Sequence, residues 1–146
     1  MQVDRKLTSG DLCLFRFTIS PMYSHLPDIT IITPVFDSKS DEIIFFTASR
    51  GHHADIGGIL PGSMPPTSTT IFEEGANVES FKIVSDGVFD KKELDHHMID
   101  VPSQYPGSSG CRNIRDVESD LKAVRFHHYT VSIQLTRSCL ANRCEP

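Results

Sequence analysis

The chain lacks any apolar run long enough to cross a bilayer, which argues against a membrane-spanning helix. Its first residues, MQVDRKLTSGD, have no apolar segment after the charges, so they do not read as a secretory signal. It lacks a basic stripe interleaved with aromatics, and its net charge is −5, so nucleic acid is not an expected partner. It has no G-x-x-x-x-G-K-[ST] loop, hence no phosphate cradle of that kind. Its four cysteines, Cys13, Cys111, Cys139 and Cys144, form no CxxC pair and no even framework. That fits a reduced, intracellular protein, with Cys13 as a buried thiol in an apolar run. Hydrophobic content is also low, 38% of 146 residues, enough for one domain with a thin core.

What is present is organised around Ser49 to Glu74, SRGHHADIGGILPGSMPPTSTTIFEE. Four glycines and three prolines fall between Gly51 and Pro66, so special backbone geometry orders this stretch rather than helix or sheet. His52, His53 and Asp55 stand at its start. A structured loop at a strand end is a usual place for chemistry; the plain alternative is a surface loop with solvated histidines.

Leu12 to Ile19 reads as a strand. Ile29 to Phe36 (ITIITPVF) and Glu42 to Ala48 (EIIFFTA) read as a hairpin around DSKSD, with Pro34 marking an edge or a strand terminus. In an antiparallel hairpin the start of one strand lies beside the end of the next. His25 and Asp28 enter the first strand and His52 leaves the second, so the three can converge. Two imidazoles and a carboxylate make a divalent-metal shell with open positions. HxxD alone is a weak signal, and many hairpins bring unrelated polar residues together.

Ala76 to Val84 reads as another strand, and Asp86-Gly87 as a turn. Asp90 is a fitting N-cap of a short helix, with Glu93 completing a capping box; His96 and His97 read as surface residues on that helix. A second helix starts at Asn113, with Ile114, Val117 and Leu121 on one face. Arg112 is suited to an anion, although an ordinary ion pair is slightly favoured for it. Beyond Val124 the pattern fades; HYTVSIQL suits a strand. The fold class read from this is α+β, a β-rich fragment with a hairpin, a long Gly/Pro loop and two short helices.

His25-Leu26-Pro27-Asp28-Ile29, Thr33-Pro34-Val35-Phe36 and Ala48 to Gly58 (ASRGHHADIGG) together resemble the hydantoinase B-type half of the 5-oxoprolinases. So do Pro61 to Pro66, Glu73-Glu74-Gly75, Phe81-Lys82, Arg112-Asn113, Asp116 and Asp120 to Ala123. The resemblance runs from about Ser24 to Ala123, dividing the chain into a divergent segment 1–23, a partial domain 24–123 and a divergent tail 124–146. Phe15 to Tyr23 stands where the family carries an Asn-His/Asp-Pro segment and a Gly-Gly pair, and the family half is several times longer than this chain.

The resemblance implies a cytosolic enzyme that opens 5-oxo-L-proline to L-glutamate with ATP hydrolysis, in glutathione turnover. It implies a small cyclic-amide substrate and a partner, the ATP-binding A-type half, which this chain lacks. A homodimer of the full enzyme is compatible with it. It places a divalent metal (Mg, Mn or Zn) on His25, Asp28 and His52, with His53 and Asp55 as proton carriers or orienting groups. Arg50, Gly57, Gly58, Ser63 and Arg112 are its candidate substrate contacts. Two classes of function follow: a piece of an ATP-dependent cyclic-amide hydrolase, or a non-catalytic product that binds metal or the A-type half. An independent metal-dependent amidohydrolase is a distant third.

Overall fold

A computed structural model describes residues 7–8, 11–15, 25–37, 40, 42–62 and 65–142. Among the described residues, five antiparallel strands form one sheet in the order β3-β2-β1-β4-β5. They are β1 (Leu12–Phe15), β2 (Asp28–Phe36), β3 (Ile43–His52), β4 (Ser80–Ser85) and β5 (Val88–Phe89). The helices are α1 (Ile71–Glu74), α2 (Lys91–Asp95) and α3 (Ile114–Asn142). A π-helical turn, His96–Asp100, and a 3-10 turn, Pro102–Gln104, follow α2. Among the described residues no helix is long and apolar enough to cross a membrane.

The β-branched run of β2 pairs with β3 from Asp28↔His52 to Phe36↔Ile43. β3 extends through Arg50-Gly51-His52, four residues past Ala48, where the strand read from the sequence ends. β2 is an interior strand rather than an edge. It accommodates Pro34, which lacks a donor, because its pairing with β1 runs only over Thr30 to Ile32. Of the strand read over Leu12 to Ile19, residues 16–19 lie outside the described part.

Ile29, Ile31, Ile56, Phe81, Ile83 and Val84 form the core with Leu94, Met98, Val117 and Leu121 from the helices. Asp86 (φ 49) and Gly87 (φ 79) make the expected tight β4–β5 turn. Asp90 caps α2 by accepting from Glu93 N at 3.0 Å, while the Glu93 carboxylate turns to His97 at 3.3 Å. His97 is half-buried and stacks on Phe81 with ring centroids 4.5 Å apart, so it is not the solvated surface residue expected.

The class is α+β, but the second helix is not short. α3 runs for 29 residues and absorbs HYTVSIQL, which does not form a strand. No Gly or Pro interrupts 114–142, and extending an existing helix fixes one residue per hydrogen bond gained. The β-branched residues of this stretch lower helix propensity by only a few tenths of a kcal/mol each, roughly, too little to stop it.

Candidate metal centre

Three residues meet where the hairpin begins and ends. Asp28 opens β2 and is the direct cross-strand partner of His52, which closes β3. His25 joins from the turn before β2, where Asp28 N donates to His25 O at 3.1 Å and Ile29 N to Pro27 O at 3.0 Å. His53 N also donates to Pro27 O at 3.0 Å, tying the exit of β3 to the same turn.

His25 Nε2 lies 3.3 Å from Asp28 Oδ1, and the rings of His25 and His52 are 5.0 Å apart and tilted. One ligating atom from each of the three lies within 4.8 Å of the others. Three donors spread evenly around one ion, each up to ~2.2 Å from it, lie at most about 3.8 Å from one another, so rotamer shifts of about an ångström close the set. Neutral imidazole and carboxylate are ordinary donors for a divalent ion, and the three residues fit one. The side chains of His25 and Asp28 are partly exposed and His52 is exposed, so the three donors can be reached from solvent.

Side chains alternate across a strand, so Arg50 shares the face of His52. Arg50 donates from Nε to Thr30 Oγ1 at 3.1 Å, and its residue is exposed. His53 takes the other direction. It is buried, and its Nδ1 lies 3.6 Å from Asp120 Oδ2 on α3. Burial, and to a lesser degree the neighbouring His52, hold its pKa below 6.5 against the opposing pull of Asp120. It is therefore a neutral imidazole at neutral pH.

Asp55 is committed to holding the loop. Its Oδ1 accepts from Gly57 N at 2.9 Å and from Arg112 Nη1 at 3.1 Å, and its Oδ2 accepts from Arg112 N at 2.9 Å. Arg112 Nη2 donates on to Gly58 O at 3.0 Å. Arg112 thus sits in an ion pair rather than facing a solvent anion. Cys111 Sγ donates to Asp55 O at 3.1 Å, and burial pushes its thiol pKa up, so it is an inert packing group.

The glycine pair is read by its neighbours. A Cβ on Gly57 would meet Cys111 N at 2.7 Å, and one on Gly58 would meet Glu74 O at 2.5 Å. Both positions face protein backbone, which explains the Gly-Gly and the Glu73-Glu74-Gly75 motifs together. Gly57 bridges to Gly75, and Ile59 N donates to Glu73 O at 2.9 Å. Ser63 lies outside the described residues.

Sequence reasoning passed over Asp120 and a buried polar contact on the α3 side of the hairpin, where His128 meets Ser49 and Thr33. Asp120 stood inside the matched motif DLKA without a role. Nothing in the sequence marks His128, which falls in the stretch read as a strand.

A profile of the family Hydantoinase B/oxoprolinase matches residues 1–137. The chain belongs to that family. The match is wider than the 24–123 that the motifs cover and includes most of the tail. Among curated proteins, the 5-oxoprolinase of Saccharomyces cerevisiae is 52% identical over 100 residues, covering 68% of this chain and 8% of its own length. The 5-oxoprolinase of Dictyostelium discoideum is 54% identical over 100 residues, covering 68% of this chain and 7% of its own. The 5-oxoprolinase 1 of Arabidopsis thaliana is 52% identical over 107 residues, covering 68% and 8%. The chain thus spans under a tenth of the length of these family members.

Proposed function

We propose that this chain supplies the metal-binding hairpin of an ATP-dependent cyclic-amide hydrolase that opens 5-oxo-L-proline to L-glutamate. The convergence of His25, Asp28 and His52, in a chain about half identical to 5-oxoprolinases where they align, is the observation that carries this reading. Its setting would be the cytosol and glutathione turnover, and its partner the A-type half that binds ATP.

A lactam carbonyl is a poor electrophile and its nitrogen a poor leaving group, so phosphorylation of the amide oxygen by ATP precedes ring opening. His25, Asp28 and His52 would hold a divalent ion, Mg, Mn or Zn; such an ion lowers the pKa of bound water and polarises a carbonyl. Arg50, on the same face, would meet the substrate carboxylate. His53, neutral and behind the hairpin end, is suited to take up and return a proton. Asp55 and Arg112 act on the substrate through the loop they fix rather than by touching it.

By itself the chain turns over neither ATP nor 5-oxoproline, because it has no phosphate cradle and the lactam stays unactivated; each ~1.4 kcal/mol of missing barrier reduction costs a factor of ten in rate. The test is a graft. The 100 matched residues replace their counterparts in the yeast 5-oxoprolinase, and 5-oxoproline-dependent ATP hydrolysis and glutamate release are measured. The graft is expected to retain both, and His52→Ala within it to abolish both. A well-folded graft that hydrolyses ATP and releases glutamate equally with and without His52 would overturn the assignment.

A further inference from the structure

His128 is 2% exposed and joins three elements. Its Nε2 lies 2.6 Å from Ser49 Oγ on β3, and its Nδ1 lies 2.8 Å from Thr33 Oγ1 on β2. α3 is held unevenly along its length. Val117 and Leu121 are buried in the core, whereas Phe126 and Tyr129 are 74% and 66% exposed. Thr33, Val35, Phe126, Tyr129 and Ser132 line a cavity of about 520 Å³ between β2 and this half of the helix. The imidazole is therefore a polar tie between a loosely packed helix half and the hairpin that carries the metal centre at its far end.

We propose that His128 is a pH-sensitive latch: neutral, it pins the second half of α3 to the β2–β3 hairpin, and protonated it releases that half while the first half stays packed. A neutral imidazole offers one donor and one acceptor, and the two hydroxyls complement either arrangement. Protonation removes the acceptor and leaves a cation in a buried place. β2 and β3 meet the two ring nitrogens with the hydroxyls of Thr33 and Ser49. On α3 the charged or titratable neighbours are His127, Arg125 and Lys122, none of them an anion. Asp11 is the carboxylate lining the adjoining cavity, and Lys82 Nζ holds it at 2.6 Å. Burial first, and the charge of His127 second, set the pKa of His128 below 6.5.

The sign follows from proton counting. The released state binds a proton near pH 6.5 and the docked state only at lower pH, so docking weakens as pH falls below about 6.5. The opening equilibrium then rises by up to about tenfold per pH unit until the docked imidazole titrates.

Hydrogen exchange on residues 1–146 between pH 7.5 and 4.5, corrected for intrinsic rates, tests this. Protection of residues 125–138 should fall below pH 6.5, by as much as tenfold per unit, while β2, β3 and residues 114–123 keep theirs. His128→Gln should flatten that dependence. Should that variant not fold, Ser49→Ala keeps the imidazole; its His128 titration, followed by nitrogen NMR, should move up toward 6.5, with lower protection of 125–138 already at pH 7.5. Protection of 125–138 that is independent of pH, that falls together with the hairpin, or that keeps its pH dependence in His128→Gln would overturn the latch. So would an unmoved His128 titration in Ser49→Ala.

Discussion

The Arg112 guanidinium meets the Asp55 carboxylate at 3.1 Å across 57 residues of chain, and the backbone N–H of Arg112 binds the same carboxylate at 2.9 Å. This contact, with the Gly57–Gly75 bridge, gives the Gly/Pro-rich loop after β3 a fixed shape without helix or strand.

Asp55→Ala removes the acceptor of three hydrogen bonds and leaves Arg112 without its carboxylate. The expected loss is about 2–4 kcal/mol, as for a part-buried charge-assisted network. Arg112→Lys should not restore it, because a lysine cannot reach Asp55 and Gly58 O at once. Urea melts of the three proteins decide this; wild-type stability in Asp55→Ala would show that the loop is held otherwise.

Gly58→Val drives a side chain into Glu74 O and Glu73 O, both within 2.6 Å of the new Cβ. The expected cost is about 3 kcal/mol or failure to fold, at the upper end of overpacking. Gly51→Ala is the control. Its Cβ meets nothing closer than His53 Nε2 at 4.0 Å, so its midpoint should shift by less than about 0.5 kcal/mol. Equal shifts in the two variants would remove the close-packing account of the glycine pair.

Asp11 gives an acid limb to stability. Burial would raise its pKa, but hydrogen bonds from Lys82, Thr8 and Asp86 outweigh that and hold it below 3.8. The unfolded chain therefore takes up this proton first, so the contribution is complete above about pH 3.8 and is lost as pH falls through the folded value. Asp11→Asn should lack this part of the pH dependence. Lys82→Ala, which leaves a buried carboxylate unpaired, should cost about 3–5 kcal/mol at pH 7. Parallel slopes below pH 4 in Asp11→Asn and wild type would contradict the assignment.

The hairpin was legible because two β-branched runs flank a polar turn, and antiparallel pairing then allows His25, Asp28 and His52 to converge, which the Asp28↔His52 register and the turn before β2 bring about. The loop was legible as special through its glycines and prolines, but not in what holds it: Arg112 and Glu74 lie far along the chain, and no local rule pairs them with Asp55 and Gly58. The tail misled for a physical reason. Thr130, Val131 and Ile133 favour a strand taken alone, but they follow a well-formed helix with no breaker between. His128 was invisible for the same reason, since its partners exist only once α3 crosses the hairpin. His53, adjacent to His52 in sequence, points to α3 rather than to the open face, as neighbouring residues at a strand end do.

The central claim is that His25, Asp28 and His52 form one divalent-ion site, and calorimetric titration of residues 1–146 with Zn²⁺ and with Mn²⁺ tests it most directly. The account predicts one ion per chain, lost in His52→Ala and in Asp28→Ala and retained in His97→Ala, whose imidazole lies off the site. Binding that survives His52→Ala, or folded protein that takes up neither ion, would contradict it.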